Sequence, residues 1–125
     1  MSARRIRVAV IGGGSTVFSK MLVTDLLAGP IRDVDLVLQA PSTRRTMLIA
    51  AWGERFIETN GLSARIIVET DRARAIEGAR YVFCAFQVGG FAATESDYAI
   101  PMRYGVDQCI GDTLGPGGVF RALRA

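Results

Sequence analysis

Two hydrophobic rhythms alternate along this chain. A near-continuous apolar run from Ile6 to Ile11 reads as a strand buried on both faces, as in a parallel sheet. Gly12-Gly13-Gly14-Ser15-Thr16 breaks it at once, and an amphipathic stretch from Val17 to Leu27 follows. There Phe18, Met21, Leu22, Asp25 and Leu26 recur at helical spacing, and Gly29-Pro30 is the stop signal. Val34 to Leu38 is the second predicted strand. Ser42 is placed to cap the next helix, in which Leu48, Trp52 and Phe56 make one apolar stripe. Arg45, Glu54, Arg55 and Glu58 fall elsewhere, as a solvated face, and Asn60-Gly61 ends the helix. Arg65 to Glu69 predicts a third strand, and Asp71 caps a brief helix through Ile76 that Gly78 closes. Tyr81 to Phe86 predicts the fourth strand.

The alternation predicts an α/β fold: a Rossmann-like, doubly wound parallel sheet with strand order 3-2-1-4. Beyond the fourth strand come a second glycine turn, Gln87-Val88-Gly89-Gly90, and a helical segment from Ala92 to Ile100 that Pro101 interrupts. Tyr104 to Gly118 then holds five glycines and a proline, too irregular for a strand and too rich in special residues for an ordinary linker. Phe120 to Arg124 begins another helix.

The first glycine turn has the makings of a dinucleotide site. Gly12 permits the tight turn, and Gly14 lets the backbone approach a pyrophosphate. Ser15 or Thr16 caps the helix, whose free N–H groups then face the phosphates. The third glycine of the usual pattern is replaced by Val17, and the same residues also describe a plain turn between strand and helix. Strand four beside strand one would bring Gln87–Gly90 to the same sheet edge, the switch point where such folds bind ligands. Gln39, at the end of strand two, stands where an acid usually meets the ribose hydroxyls. It can hydrogen-bond a hydroxyl but would not repel a 2′-phosphate, so NAD is favoured over NADP only weakly. Arg44 or Arg45 offers such a phosphate a partner, or is simply a surface group near a helix start.

Composition narrows the chemistry. The chain has 125 residues, half of them hydrophobic, enough for one domain with a core. No segment is long enough to span a bilayer, and the short apolar run after the N-terminal arginines is a strand and not a signal peptide, which predicts a cytoplasmic protein without a membrane partner. No histidine is present, which excludes histidine acid–base chemistry and histidine metal ligands within these residues. Cys84 and Cys109 lack metal-type spacing and are expected to be reduced. The net charge of +3 is scattered, one lysine against fourteen arginines, and argues against a nucleic-acid partner.

Three motifs carry a family resemblance: IGGGS at 11–15, QVGG at 87–90, and the long segment IPMRYGVDQCIGDTLGPGGVFRALR from Ile100 to Arg124. With them the chain resembles the N-terminal portion of a glycoside hydrolase family 4 enzyme of the alpha-galactosidase and alpha-glucosidase kind. On that resemblance, residues 1–125 are an incomplete NAD-binding domain. Residues 100–124 are a glycine-rich active-site loop and the start of the next helix, and the remaining strands and substrate domain follow. Most glycosidases use two carboxylates, and this family is an exception. The resemblance implies that NAD takes hydride from the sugar's C3 hydroxyl, a base removes the acidified C2 proton, and a divalent metal, usually manganese, steadies the enolate. The C1 group then leaves, water adds, and the hydride returns.

Carried over by position, the resemblance implies that Gly12, Gly14, Ser15 and Thr16 hold the pyrophosphate and that Gln87, Val88 and Gly89 lie beside the nicotinamide half. Asp112 matches the acid that supports the base. No metal ligand is expected within this chain, and those for Mn2+ lie past residue 125. Two departures matter: Gln39 stands where many relatives have Asp, and Thr94 stands where members acting on phosphorylated sugars have Arg. Thr94 therefore predicts a non-phosphorylated hexoside as the small-molecule substrate, alpha-galactoside first and alpha-glucoside or uronide next. An unpaired fourth-strand edge predicts that the chain dimerises, aggregates or depends on missing residues, and a homo-oligomer is the expected assembly. Residues 1–125 alone are expected to be inactive as a glycosidase. An NAD-dependent dehydrogenase of the lactate or malate type shares the first-domain fold, but has no need of the Tyr104–Gly118 loop. A non-enzymatic dinucleotide-binding module is the third class.

Overall fold

The computed structural model describes residues 5–31, 33–108 and 115–124. The chain divides into two compact units, Met1–Ala85 and Phe86–Ala125.

The first unit is a four-stranded sheet with strands β1 (Ile6–Ile11), β2 (Val34–Gln39), β3 (Arg65–Glu69) and β4 (Tyr81–Cys84). Its order is β3-β2-β1-β4 and every pairing is parallel, as the alternating pattern predicts. Val8 sits opposite Leu36 and Tyr81, and Ile11 opposite Gln39 and Cys84, so the strands finish level. Helices cover both faces. Helices α1 (Phe18–Ala28) and α2 (Thr43–Thr59) bury Val23, Leu27, Ile49 and Ala50 against Val8, Val10, Val34, Leu36 and Leu38. The short α3 (Arg72–Ile76) buries Ala75 against Ala9, Ile11 and Val37 on the other face. Every side chain of β1 from Val8 to Ile11 is buried, the reason that run reads apolar at consecutive positions.

The helices keep their predicted places but turn a different face inward. In α1 the buried positions are Ser19, Val23 and Leu27, while Phe18 and Met21 are exposed and Leu22 and Leu26 only flank the core. In α2 the inward face is Thr46, Ile49, Ala50 and Gly53, and Leu48 is 63% exposed. Trp52 and Phe56 pack at the margin with ring centroids 5.7 Å apart. The cause is close helix–sheet approach: a β-carbon on Gly53 would lie 2.2 Å from Ile66 Cδ1, so small residues face the sheet and large ones sit to the side. Ser42 occupies the N-cap of α2, yet its side chain caps nothing and its carbonyl accepts from Thr46 Oγ1 at 3.2 Å. Asp71 does cap α3, accepting from Arg74 N at 3.1 Å. β4 ends at Cys84, two residues before the predicted end, and its four residues are exposed.

The second unit pairs α4 (Gly90–Arg103) with α5 (Pro116–Arg124). α4 begins earlier and runs past Pro101, where the sequence predicts an interruption. Proline removes the N–H that would meet the carbonyl of Asp97. Gln108 Nε2 takes its place, donating to Asp97 O at 3.1 Å, and Gln108 Oε1 accepts from Gly117 N at 3.2 Å. One side chain thus closes α4 and ties the start of α5 to it. α5 opens on Pro116, earlier than the Phe120 start read from the pattern, because a proline suits the first helical position.

Candidate functional site

The glycine turn is built by the ends of β1 and β2. Gly12 has φ 90°, a left-handed value that favours glycine. The amides of Gly12 and Gly13 both donate to the carbonyl of Gln39, each at 2.8 Å, which pins the turn against β2. A β-carbon on Gly13 would stand 2.9 Å from Leu38 Cβ and 3.0 Å from Leu38 Cα, so any side chain there would force the turn or β2 to shift. Packing thus constrains Gly13 more tightly than Gly14, and motif spacing, which weights Gly12 and Gly14, passes over it. A β-carbon on Gly14 would meet Thr46 Oγ1 at 3.4 Å and Arg45 Cβ at 3.5 Å, ordinary contacts, so the protein's own packing makes no such demand there. The same distances put the start of α2, with Arg45, beside the turn.

The end of α1 next to the turn is open to a ligand. Ser15 Oγ accepts from Phe18 N at 3.1 Å and caps the helix as expected. The amides of Gly14, Thr16 and Val17 have no hydrogen-bond partner among the described residues. Val17 is 69% exposed, so the helix needs no close approach at that position and tolerates a side chain where the usual pattern has a third glycine. Three unpaired N–H donors at a helix start, with the helix dipole behind them, suit an anionic oxygen.

Gln39 has two attachments. Its carbonyl holds the turn, and its buried side chain donates Nε2 to Thr70 O at 2.9 Å, joining β2 to the loop after β3. Arg44 and Arg45 are exposed.

In the second unit, Gly89 and Gly90 both take positive φ, 90° and 62°, and start α4. A β-carbon on Gly89 would come 2.5 Å from Ala93 Cβ. Gln87 folds back over this first turn, donating Nε2 to Gly90 O at 3.0 Å and to Thr94 Oγ1. Val88 is exposed. Thr94 Oγ1 donates to Gly90 O at 3.2 Å and also accepts from Arg121 Nη2 at 3.3 Å. Arg121 is a residue that sequence reasoning missed: no basic side chain lies between Phe91 and Ser96, and α5 supplies one. Nearby, Arg124 clamps the buried Asp97 with both ends of its guanidinium, Nη1 at 2.8 Å from Oδ1 and Nη2 on Oδ2. That bidentate bond holds the Asp97 carboxyl below the usual carboxylate range, against desolvation, with Arg121 adding to it.

Asp112 and Cys109 lie outside the described residues. Cys84 is an exposed free thiol. Among the described residues no three His, Cys, Asp or Glu side chains gather to hold a metal, and no helix is long and apolar enough to cross a membrane.

A parallel 3-2-1-4 sheet with helices on both faces and a glycine turn at the carboxyl end of β1 is a Rossmann-like α/β fold. The chain belongs to family 4 of the glycosyl hydrolases, whose model matches residues 7–125. It is 43% identical over 119 residues to an alpha-galactosidase of Rhizobium meliloti (strain 1021), covering 94% of this chain and 24% of that one. It is 37% identical over 120 residues to an alpha-galactosidase of Bacillus subtilis (strain 168), covering 94% and 28%. Among solved structures, the 6-phospho-beta glucosidase of Thermotoga maritima, crystallised with manganese, NAD+ and glucose-6-phosphate, superposes with a TM-score of 0.75 at 27% identity, over 96% of this chain and 28% of that one. The chain thus spans about a quarter of the length of the relatives it matches.

Proposed function

We propose that this chain is the cofactor-binding part of an NAD-dependent glycosidase that hydrolyses non-phosphorylated alpha-hexosides, alpha-galactosides first. One observation carries the cofactor assignment: between β1 and α1 the amides of Gly14, Thr16 and Val17 have no partner among the described residues, beside a turn that Gly12 and Gly13 pin in place. These amides suit a pyrophosphate, with Ser15 fixing the helix start behind them. Gly12, Gly14, Ser15, Thr16 and Gln39 serve the adenosine and pyrophosphate half, Gln39 through its position at the end of β2. Gln87, Val88 and Gly89 serve the nicotinamide half. When bound, NAD supplies a hydride acceptor and donor that is restored in each turnover. Asp112 supports the base. The Mn2+ ligands are assigned beyond residue 125 on the family resemblance.

The alpha-galactoside assignment rests on the two alpha-galactosidase relatives and on the neutral hydroxyl of Thr94. A second reading is an anionic hexoside such as a uronide, and Arg121 favours it by placing a guanidinium 3.3 Å from Thr94 Oγ1. Calorimetric titration of the chain with NAD+ tests the cofactor assignment. Saturable binding that Gly13→Val abolishes is the expected result, and equal failure of NAD+ and NADP+ at millimolar concentration would overturn it. A paired hydrolysis assay of the enzyme at its relatives' length, with nitrophenyl alpha-galactoside, its 6-phosphate and the galacturonide, decides the substrate.

A further inference from the structure

At the opposite end of the sheet from the glycine turn lies a cavity of about 270 Å³ lined by Arg5, Ile6, Arg7, Gly78 and Arg80. Among the described residues that line it, three of the five are arginines and none is acidic. The cluster follows from the pairing. Arg80 N donates to Arg7 O at 2.8 Å, so β1 and β4 enter side by side with two arginines as neighbours. Arg7 on β1 points to the face that α3 covers, and Arg5 just ahead of the strand reaches Asp35 on that same face.

Like charges placed across neighbouring strands repel, and the carboxylate that faces them, Asp35 opposite Arg7 in the β1–β2 register, is already shared by two other arginines. Arg5 shares Asp35 with Arg65, which binds that carboxylate through Nε at 2.8 Å and Nη2 at 2.7 Å. Asp35 is therefore already matched. Arg7 meets no carboxylate: its Nη2 donates to Arg74 O at 3.2 Å, and its Nε is buried without a partner. Arg80 has no carboxylate partner among the described residues and lies over the Tyr81 ring at 5.8 Å. A surplus of fixed guanidinium charge is relieved by one oxyanion with several acceptor oxygens. Gly78, at φ 67°, turns the chain at the rim without adding a side chain.

We infer that this cavity is a binding site for a small phosphorylated anion, separate from the cofactor turn. Its volume falls just short of the ~300–1,000 Å³ usual for drug-sized ligands, which suits a pyrophosphate or a sugar phosphate and is too small for a whole dinucleotide. The Arg7 and Arg80 guanidinium groups, which line the cavity, are its principal donors, with Arg5 held at the side by Asp35.

Calorimetry of the 125-residue chain at low ionic strength, with pyrophosphate and orthophosphate as probes, tests the site. Pyrophosphate binds with one-site stoichiometry, more tightly than orthophosphate, and saturating NAD+ leaves its affinity unchanged. Arg80→Gln weakens it about tenfold, the loss expected for one charge-assisted bond, and Arg7→Gln does the same. Arg55→Gln, which removes an equal charge from the solvated face of α2, leaves it unchanged. Absence of saturable binding, equal weakening by Arg55→Gln, or displacement by NAD+ would each overturn the assignment. Arg80 is exposed and bonds through its backbone, so Arg80→Gln keeps the test open even where Arg7→Gln disturbs folding.

Discussion

The two units of this chain are held together by different physics. In the sheet unit the centre is hydrocarbon: Val10, Val23, Leu36, Val37 and Leu38 are wholly buried, and the buried polar side chains of Gln39 and Thr46 bond to backbone carbonyls. In the helical unit the buried positions among the described residues are Asp97, Pro101 and Gly117, while Phe91 is 94% exposed and Leu123 80%. There α4 and α5 are joined by the Arg124–Asp97 clamp, the Gln108 bridge and the Arg121–Thr94 bond. The apolar core tolerates changes of pH and salt but not lost volume. The polar seam responds the other way, because each of its members leaves a partner unmet when removed.

The sharpest way to break the comparison is through volume. Leu36→Ala in the centre of β2 should cost about 2–5 kcal/mol by leaving a cavity that the sheet cannot fill. Denaturant unfolding followed through Trp52, which packs at the edge of that core, measures it. A loss below 1 kcal/mol would mean that the sheet is not the stability centre.

A smaller effect is expected from Gln108→Ala. It strands the Asp97 carbonyl and the Gly117 amide, each of which Gln108 alone satisfies among the bonds described, and should cost about 1–3 kcal/mol within the helical unit. Amide exchange should quicken in the last turns of α4 and in α5 while β1 and β2 remain protected. Uniform loss of protection would show that the units do not open independently.

Acid gives the smallest effect near neutrality and sharpens the contrast lower down. Asp97 and Asp35 are both held below the ordinary carboxylate range, Asp97 first by Arg124 and Asp35 first by Arg65, each against desolvation. Their contribution is complete above an unfolded carboxyl pKa of about 3.9 and is lost as pH falls through the lower folded values. Between pH 7 and 5 neither pair should change. Below about pH 4 the α4–α5 signals should melt before those of β1 and β2, since only the former lack an apolar core. Simultaneous loss would contradict the division.

Sequence by itself determined the sheet. Buried parallel strands need apolar side chains on both faces, so Ile6–Ile11 and Val34–Leu38 are legible as runs, and the glycines mark where each run must turn. The family motifs and the Ser15 cap were legible because they are local. Helix faces were not: which side of α1 or α2 meets the sheet depends on how closely the helix approaches, and Gly53 against Ile66 decides that through a contact far away in sequence. Nor could spacing show that Gly13 lies against Leu38, that Gln108 replaces the bond Pro101 removes, that Arg121 reaches Thr94, or that Arg7 and Arg80 meet. Each of these joins residues from separate elements, and only packing fixes which side chains a strand pairing or a helix crossing brings within hydrogen-bond reach.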